Sequence, residues 1–300
     1  MSRSSQLARQ RAREALLVQQ RVEARRRRML WAGGSLATIL VLVMTMVVVR
    51  LSMADEADAQ VPSGQLPANV VQALQVDPAT LNAIGRGSAT SWPQRLSGQP
   101  ALTADSKPLV LYIGGEYCPF CAAQRWALVV ALSRFGTFID LKAARSASDD
   151  IYPSTATVSF YGAEYTSEYL SFQGVELATS ERQGGQYTPL QSLTAAQEQV
   201  MRTYNAPPYV PARSAGAVPF VDFGNQFLMT GSAFSPELLA GMDQEEIAAA
   251  LADPNSEVAK AALGAANALT GVLCVLTGGQ PANVCTSPSA TAFPEVSRGA

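Results

Sequence analysis

Two cysteines separated by two residues are the part of this sequence best suited to chemistry. Cys118 and Cys121 follow a short apolar run that ends in two glycines, and residues 122–132 read as a helix. A cysteine at a helix start meets unpaired N–H groups and the positive end of the helix dipole, both of which stabilise a thiolate. The pattern therefore predicts that Cys118 is a nucleophile and Cys121 the thiol that resolves its mixed disulfides.

The flanking residues fit this arrangement. Residues 109–113 form an apolar run typical of a buried strand, and Pro119 suits the first helical position, where no N–H is needed. The chain contains no histidine. Help with proton transfer would therefore come from Glu116, from tyrosines or from water.

Two other interpretations of the CxxC remain open. It could be half of a zinc site, but a second closely spaced ligand pair is missing, because Cys274 and Cys285 lie far along the chain. It could also be an inert structural disulfide. The strand before it and the helix after it favour a redox pair, and we expect no cofactor beyond the thiols themselves.

The N-terminal region predicts a membrane anchor. Residues 29–49 are uncharged and long enough to span a bilayer, and four arginines precede them at 25–28. This places the N-terminus in the cytoplasm and the body outside it, anchored to lipid by one helix. A signal peptide cleaved near residues 57–59 is the alternative, although the apolar run is longer than usual for one. The basic segment 3–28 fits a topogenic, lipid-facing role, so nucleic acid is not an expected partner.

Later segments alternate between strands and helices. Thr194 and Gln197 predict a capping box for a helix that ends near residue 204. Gly224-Asn225 predicts a hairpin between two apolar runs, and residues 238–251 predict a helix. Strands are also expected at 137–143, 155–161 and 164–173, and adjacent Asp149 and Asp150 are expected in a solvated turn.

The final fifty residues predict an apolar helix at 257–277, docked on the body. Cys274 lies near its end, and Cys285 returns within reach after a turn. Disulfides persist outside the cytoplasm, so we expect these two cysteines to form a structural bond. A second redox pair that relays electrons to the CxxC is the alternative.

The segment Glu116-Tyr117-Cys118-Pro119-Phe120-Cys121, together with Val218-Pro219, resembles the thioredoxin-like superfamily over about residues 105–253. The longer phrase 114–126 and the N-terminal anchor are similar to a prokaryotic membrane-anchored family of unknown function. The resemblance implies an α/β thioredoxin-like fold, with an insertion between the active-site helix and the strand of the cis-proline. It also implies a substrate groove formed by Tyr117, Pro119, Phe120, Val218 and Pro219.

Thioredoxins carry a buried aspartate on the strand ahead of the cysteines, and the corresponding residue here is Tyr112. The expected segments are a basic cytoplasmic segment (1–28), a transmembrane helix (29–49), a tether and N-terminal extension (50–104), the thioredoxin-like domain (105–253, insertion about 144–215), a C-terminal helix with a disulfide loop (254–286) and a disordered tail (287–300).

Taken together, the sequence predicts a membrane-anchored, extracytoplasmic thiol–disulfide oxidoreductase. Its partners would be thiols or disulfides of envelope or secreted proteins, with a membrane redox protein as a further candidate. The competing hypothesis is a binding module that uses the same fold without catalysis, with the CxxC locked as a structural disulfide.

Overall fold

The computed structural model describes residues 64–297. The predicted segment 1–28, the predicted membrane helix 29–49 and residues 50–63 of the tether and N-terminal extension lie outside the described residues. The helices are α1 (Ala68–Ala73), α2 (Pro78–Ile84), α3 (Pro119–Leu132), α4 (Ala195–Tyr204), α5 (Gln244–Ala252), α6 (Glu257–Leu276), α7 (Ala282–Cys285) and α8 (Pro294–Ser297), with 3-10 turns at Ala212–Ser214 and Pro236–Leu239.

Twelve strands are described between residues 64 and 297. They are β1 (Gln94–Arg95), β2 (Thr103–Ala104), β3 (Lys107–Gly114), β4 (Gly136–Ile139), β5 (Lys142–Arg145), β6 (Ala156–Ser159), β7 (Glu164–Ser167), β8 (Ser171–Glu176), β9 (Ala178–Gln183), β10 (Gln186–Pro189), β11 (Phe220–Phe223) and β12 (Phe227–Thr230).

The main sheet is built around β3. It has six strands and is mixed: β8 pairs with β3 in parallel, whereas β11 pairs with β3 antiparallel on the other side, followed by β12 and β1. Strand β2 pairs only with the start of β3. The chain passes from β3 through α3 before it reaches β8, as a parallel pair requires a crossover. The protein is therefore a mixed α/β fold, with the CxxC at the end of its central strand.

Both faces of β3 are buried because its side chains alternate between two apolar clusters. Val110 and Tyr112 pack into the larger cluster, together with α3 and α6. Leu111 and Ile113 face the smaller cluster, which contains residues of α4. The sheet is thus covered on both sides, and this fixes the direction in which α3 leaves it.

Helix α6 is long and apolar enough to span a membrane, and it is the one helix in the described part of the chain that meets these criteria. In this structure 89% of its apolar window is buried inside the protein. It packs in the same cluster as α3, as the sequence predicted for a docked C-terminal helix. Its apolar character is accounted for by burial in the core.

The predicted hairpin at Gly224-Asn225 is confirmed, since β11 and β12 pair on either side of it. Both residues adopt positive φ, 64° and 54°, which glycine and asparagine tolerate best. The predicted capping box is also present, because Thr194 and Gln197 cap each other's backbone at the start of α4.

Some boundaries differ from expectation. The range 144–215, expected as an insertion, supplies β8 to the main sheet and α4 to one of its faces. Gly241 has a φ of 75°, and the helix predicted at 238–251 is divided there into a 3-10 turn and α5. The strand predicted at 137–143 is likewise two strands, β4 and β5, separated by Asp140 with a φ of 59°.

The tail predicted to be disordered from residue 287 is folded as far as it is described. Phe293 and Val296 are buried in the larger apolar cluster, and Arg86 pairs with Glu295 at 2.7 Å. The tail's composition, rich in serine, threonine and alanine, concealed these two apolar contacts.

Candidate active site

The two cysteines of the CxxC lie at the first turn of α3, directly after the central strand. Cys118 is the N-cap residue, and its Sγ accepts a hydrogen bond from the backbone N–H of Cys121 at 3.2 Å. Pro119 occupies the first helical turn, as predicted. Both thiols are free and buried in this structure, with Cys118 7% exposed and Cys121 fully enclosed. Cys118 is thus the thiol nearer to solvent.

The surroundings distinguish the two thiols electrostatically. The side-chain hydrogen bond from Cys121, and then the backbone N–H of Cys121 and the charge of Arg125, lower the pKa of Cys118 despite its burial. Burial raises the pKa of Cys121 well above its ordinary value, and its interaction with Cys118 adds to this. The first thiol is therefore disposed to be a thiolate, and the second to remain protonated.

The proline of the predicted groove lies beside Cys118. The Val218–Pro219 peptide bond is cis, and the Cys118 thiol contacts the carbonyl oxygen of Val218 at 3.8 Å. This contact joins residues 100 positions apart in the chain. The structure thus brings together the CxxC and the Val218-Pro219 pair.

Asn205 holds the loop that leads to this proline, a role that no pattern in the sequence indicated. Its side-chain amide donates to the backbone carbonyl of Ala217 at 2.9 Å, and its backbone carbonyl accepts a hydrogen bond from the N–H of Gly216 at 2.9 Å. The residue is 2% exposed. Asn205 directly follows α4, so its hydrogen bonds connect the end of this helix to the loop beside Cys118.

Aromatic side chains surround the mouth of the site. Tyr117 stacks on Tyr187 of β10, with ring centroids 4.2 Å apart, and burial raises the pKa of Tyr117 to about 12. Arg182 of β9 lies over the ring of Tyr187, with its guanidinium carbon 3.8 Å from the ring centroid. Phe120, in the first turn of α3, is 40% exposed, and its ring contacts the ring of Tyr152 edge to face. We call Tyr117, Phe120, Tyr152 and Tyr187 the aromatic rim.

Three acidic residues considered in the sequence analysis, Glu116, Asp149 and Asp150, each contact a different partner. The Glu116 carboxylate accepts a hydrogen bond from the Ser159 hydroxyl at 2.6 Å. Asp149 pairs with Arg182 at 2.9 Å on the surface, and Asp150 accepts a hydrogen bond from the N–H of Ile151. Both aspartates thus make turn and surface contacts.

A buried ion pair next to the CxxC is a second feature that the sequence analysis did not identify. Arg125 donates from Nε and Nη2 to the two carboxylate oxygens of Glu176, at 2.8 and 2.6 Å, and both side chains are fully enclosed. Although burial opposes the charge, the adjacent carboxylate raises the pKa of Arg125 above its ordinary value. Arg125 is the only charged residue of α3, and this isolated charge in an apolar helix was the available signal.

The two remaining cysteines form the predicted disulfide. Cys274 near the end of α6 is bonded to Cys285 at the end of α7, with an S–S distance of 2.00 Å. Within residues 64–297, no group of three or more histidine, cysteine, aspartate or glutamate side chains is placed to hold a metal ion.

Residues 95–275 match the model of a family described as a domain of unknown function, DUF929. The match covers more than half of the chain and includes the CxxC, Glu176 and Val218-Pro219. No curated protein matches the chain, and no solved structure matches it either.

Proposed function

We propose that this chain, which belongs to the DUF929 family, is a thiol–disulfide oxidoreductase with a thioredoxin-like fold. The single observation that carries the proposal is the placement of Cys118. Its sulfur accepts an N–H hydrogen bond at a helix N-terminus and touches the carbonyl of a cis-proline peptide at 3.8 Å. This combines a stabilised thiolate with a backbone edge beside which a substrate can lie.

The fold supports the thioredoxin-like assignment in its local arrangement. The CxxC follows a strand of a β–α–β unit, and the strand on the other side of it begins directly after the cis-proline. Tyr112 occupies the position where thioredoxins have an aspartate, and it is fully buried. The proton chemistry of this site is therefore expected to differ from that of thioredoxin itself.

In the proposed reaction, Cys118 attacks or leaves, and Cys121 resolves. Reduced Cys118 attacks a substrate disulfide as a thiolate and forms a mixed disulfide, releasing one substrate thiolate. Cys121 then loses its proton and attacks Cys118, which closes the CxxC disulfide and releases the second substrate thiol. The reverse sequence oxidises a substrate dithiol. Glu116, whose carboxylate is 2.6 Å from the Ser159 hydroxyl, is a candidate for the proton transfer.

The proposed setting is the outer side of a cell membrane. Residues 29–49 would anchor the chain, with residues 1–28 in the cytoplasm and the folded body outside, where disulfides persist. The substrates would be protein thiols or disulfides of the envelope. The Cys274–Cys285 disulfide agrees with an oxidising compartment.

The near-complete burial of Cys118 favours a second candidate, a binding module whose CxxC takes no part in exchange. The two candidates are separated by an exchange assay. Full-length protein in detergent, incubated with a reduced test protein whose two cysteines can pair, should exchange at a rate that Cys118→Ala abolishes. The variant Cys274→Ala/Cys285→Ala is the matched control and should retain exchange. A wild-type rate equal to that of Cys118→Ala would favour the binding module.

A further inference from the structure

The buried ion pair of Arg125 and Glu176 is costly for a protein core. Both side chains are 0% exposed, and a well-packed apolar pair of similar volume is often equally or more stabilising than buried charges. Stability of the fold alone is therefore a poor reason for the pair to be present. Its position suggests another.

The pair lies directly beneath the turn that carries the thiols. Arg125 is one helical turn after Cys121 on the same face of α3. Its Nη2 donates to the carbonyl of Gly115 at 2.8 Å, and the backbone N–H of Cys118 donates to the same oxygen at 3.2 Å. One carbonyl therefore connects the guanidinium to the nucleophile's own backbone.

The guanidinium also contacts Tyr112 and Glu176. The ring of Tyr112 lies 5.8 Å from the guanidinium carbon, and Glu176 occupies Nε and Nη2. Within residues 64–297, no group accepts a hydrogen bond from Nη1, which is buried. The hydrogen bonds from Cys121 are the larger causes of the lowered pKa of Cys118, and the charge of Arg125 adds to them.

We propose that Arg125, held in place by Glu176, is a positioning residue that stabilises the reduced form of the CxxC and so makes the pair an oxidant of substrate dithiols. This inference rests on the proposed function and assigns its direction. A pair whose reduced form is stabilised accepts electrons more readily, because thiolate formation is the favourable end of the reaction.

The step balances with the substrate as reductant. A substrate thiolate attacks Cys118 of the disulfide form, and Cys121 leaves as a thiolate that takes up a proton. The second substrate thiol loses its proton and attacks the mixed disulfide, and Cys118 leaves as a thiolate. The substrate loses two electrons and gains a disulfide. The CxxC gains the two electrons. The proton that the second substrate thiol loses balances the one that Cys121 takes up, and Cys118 carries the negative charge that the attacking thiolate brought.

The test compares two neutral replacements of the pair. Arg125→Met/Glu176→Leu removes both charges, because loss of Arg125 alone would leave a buried carboxylate unpaired and would destabilise the fold. Arg125→Gln/Glu176→Gln removes the charges but keeps hydrogen-bonding groups, and it decides the question if the first variant does not fold. Arg134→Met is the matched control, since Arg134 follows the opposite end of α3 and pairs with Ser287.

Two measurements are made on full-length proteins: the thiolate titration of Cys118 by ultraviolet absorbance, and the equilibrium of the CxxC with glutathione. The neutral double variants should raise the pKa of Cys118 and shift the equilibrium constant about tenfold toward the disulfide, which corresponds to about 30 mV. Arg134→Met should leave both unchanged. Folded double variants with wild-type values for both quantities would overturn the inference. If the wild type never exchanges with glutathione, the proposed function fails, whereas the thiolate titration still decides the role of Arg125.

Discussion

The thiol of Cys118 lies 3.8 Å from the carbonyl oxygen of Val218, at the cis-peptide bond that precedes β11. Two segments 100 residues apart in sequence therefore meet at one sulfur. Because β3 and β11 are neighbours in the sheet, the end of one and the beginning of the other are held in fixed register. Cys118 thus lies where two neighbouring strands of the main sheet meet, both of them buried at this end.

The first prediction concerns the hydrogen bond that the side chain of Cys121 donates to the sulfur of Cys118. This bond is the largest cause of the lowered pKa of Cys118. Cys121→Ala should raise the Cys118 pKa, so that alkylation by iodoacetamide begins at higher pH. Cys121→Ser keeps a hydroxyl donor and should stay closer to wild type. If both variants had the alkylation profile of the wild type, the backbone hydrogen bonds and the charge of Arg125 would be sufficient to lower the pKa of Cys118.

The second prediction concerns the aromatic rim. Phe120 is 40% exposed at the site, so Phe120→Ala should raise the KM for a protein substrate several-fold while exchange with glutathione is unchanged. Loss of its edge-to-face contact with Tyr152 should reduce stability by about 1 kcal/mol. Val71→Ala, at an equally exposed apolar residue of α1, is the control. Steady-state kinetics with both substrates would detect the difference, and parallel losses for both would argue against a role of Phe120 in substrate binding.

The third prediction separates the two cysteine pairs. Cys274→Ala/Cys285→Ala should reduce the free energy of unfolding by about 2 to 4 kcal/mol, because the disulfide closes a loop between α6 and α7. Urea unfolding would measure this. The exchange rate of the CxxC should stay at the wild-type value, and its loss in a folded variant would instead indicate an electron relay between the two pairs.

The fourth prediction uses Asp222, which is buried in β11. One carboxylate oxygen accepts from the N–H of Asn225 at 2.7 Å, and the other has no partner among residues 64–297. Burial raises its pKa from 3.8 to about 7. The folded state therefore holds this proton more tightly than the unfolded state. The contribution of Asp222 to stability is thus greatest below pH 3.8, falls as the pH rises through about 7 and is constant at higher pH.

Asp222→Asn should remove this dependence. At about 1.4 kcal/mol per pKa unit, we expect the variant to gain on the order of 1 to 3 kcal/mol over wild type between pH 5 and pH 8. Urea unfolding across this range measures it, with the surface variant Asp253→Asn as control. A constant difference between Asp222→Asn and wild type at all pH values would show that the carboxylate does not titrate in this window.

Local patterns predicted the core of the site well. The apolar run 109–113, the proline after Cys118 and the Gly224-Asn225 turn each depend on neighbouring residues, and each is present as β3, the start of α3 and the β11–β12 hairpin. The Cys274–Cys285 bond followed from a helix end and a return turn.

Long-range relationships were not predictable in this way. Strand β8 contains Ser171, Gln173 and Gly174, so its sequence has less apolar character than is typical of a central strand. Its place in the sheet becomes evident only from its parallel pairing with β3. Glu176 is 51 residues from Arg125, and its role becomes visible only when β8 lies against the turn. The folded tail likewise depends on Phe293 and Val296, which pack into an apolar cluster whose other residues are distant in the sequence.

Whether Cys118 and Cys121 form a reversible redox pair is decided by the reduction potential of the pair. Full-length protein is equilibrated with glutathione buffers, and the fraction of CxxC disulfide is read by thiol alkylation and mass spectrometry. We expect rapid exchange and a potential above about −230 mV, in the range of catalytic oxidants. A pair that exchanges slowly and stays oxidised below about −300 mV would be a structural disulfide, and the proposed redox function would then be wrong.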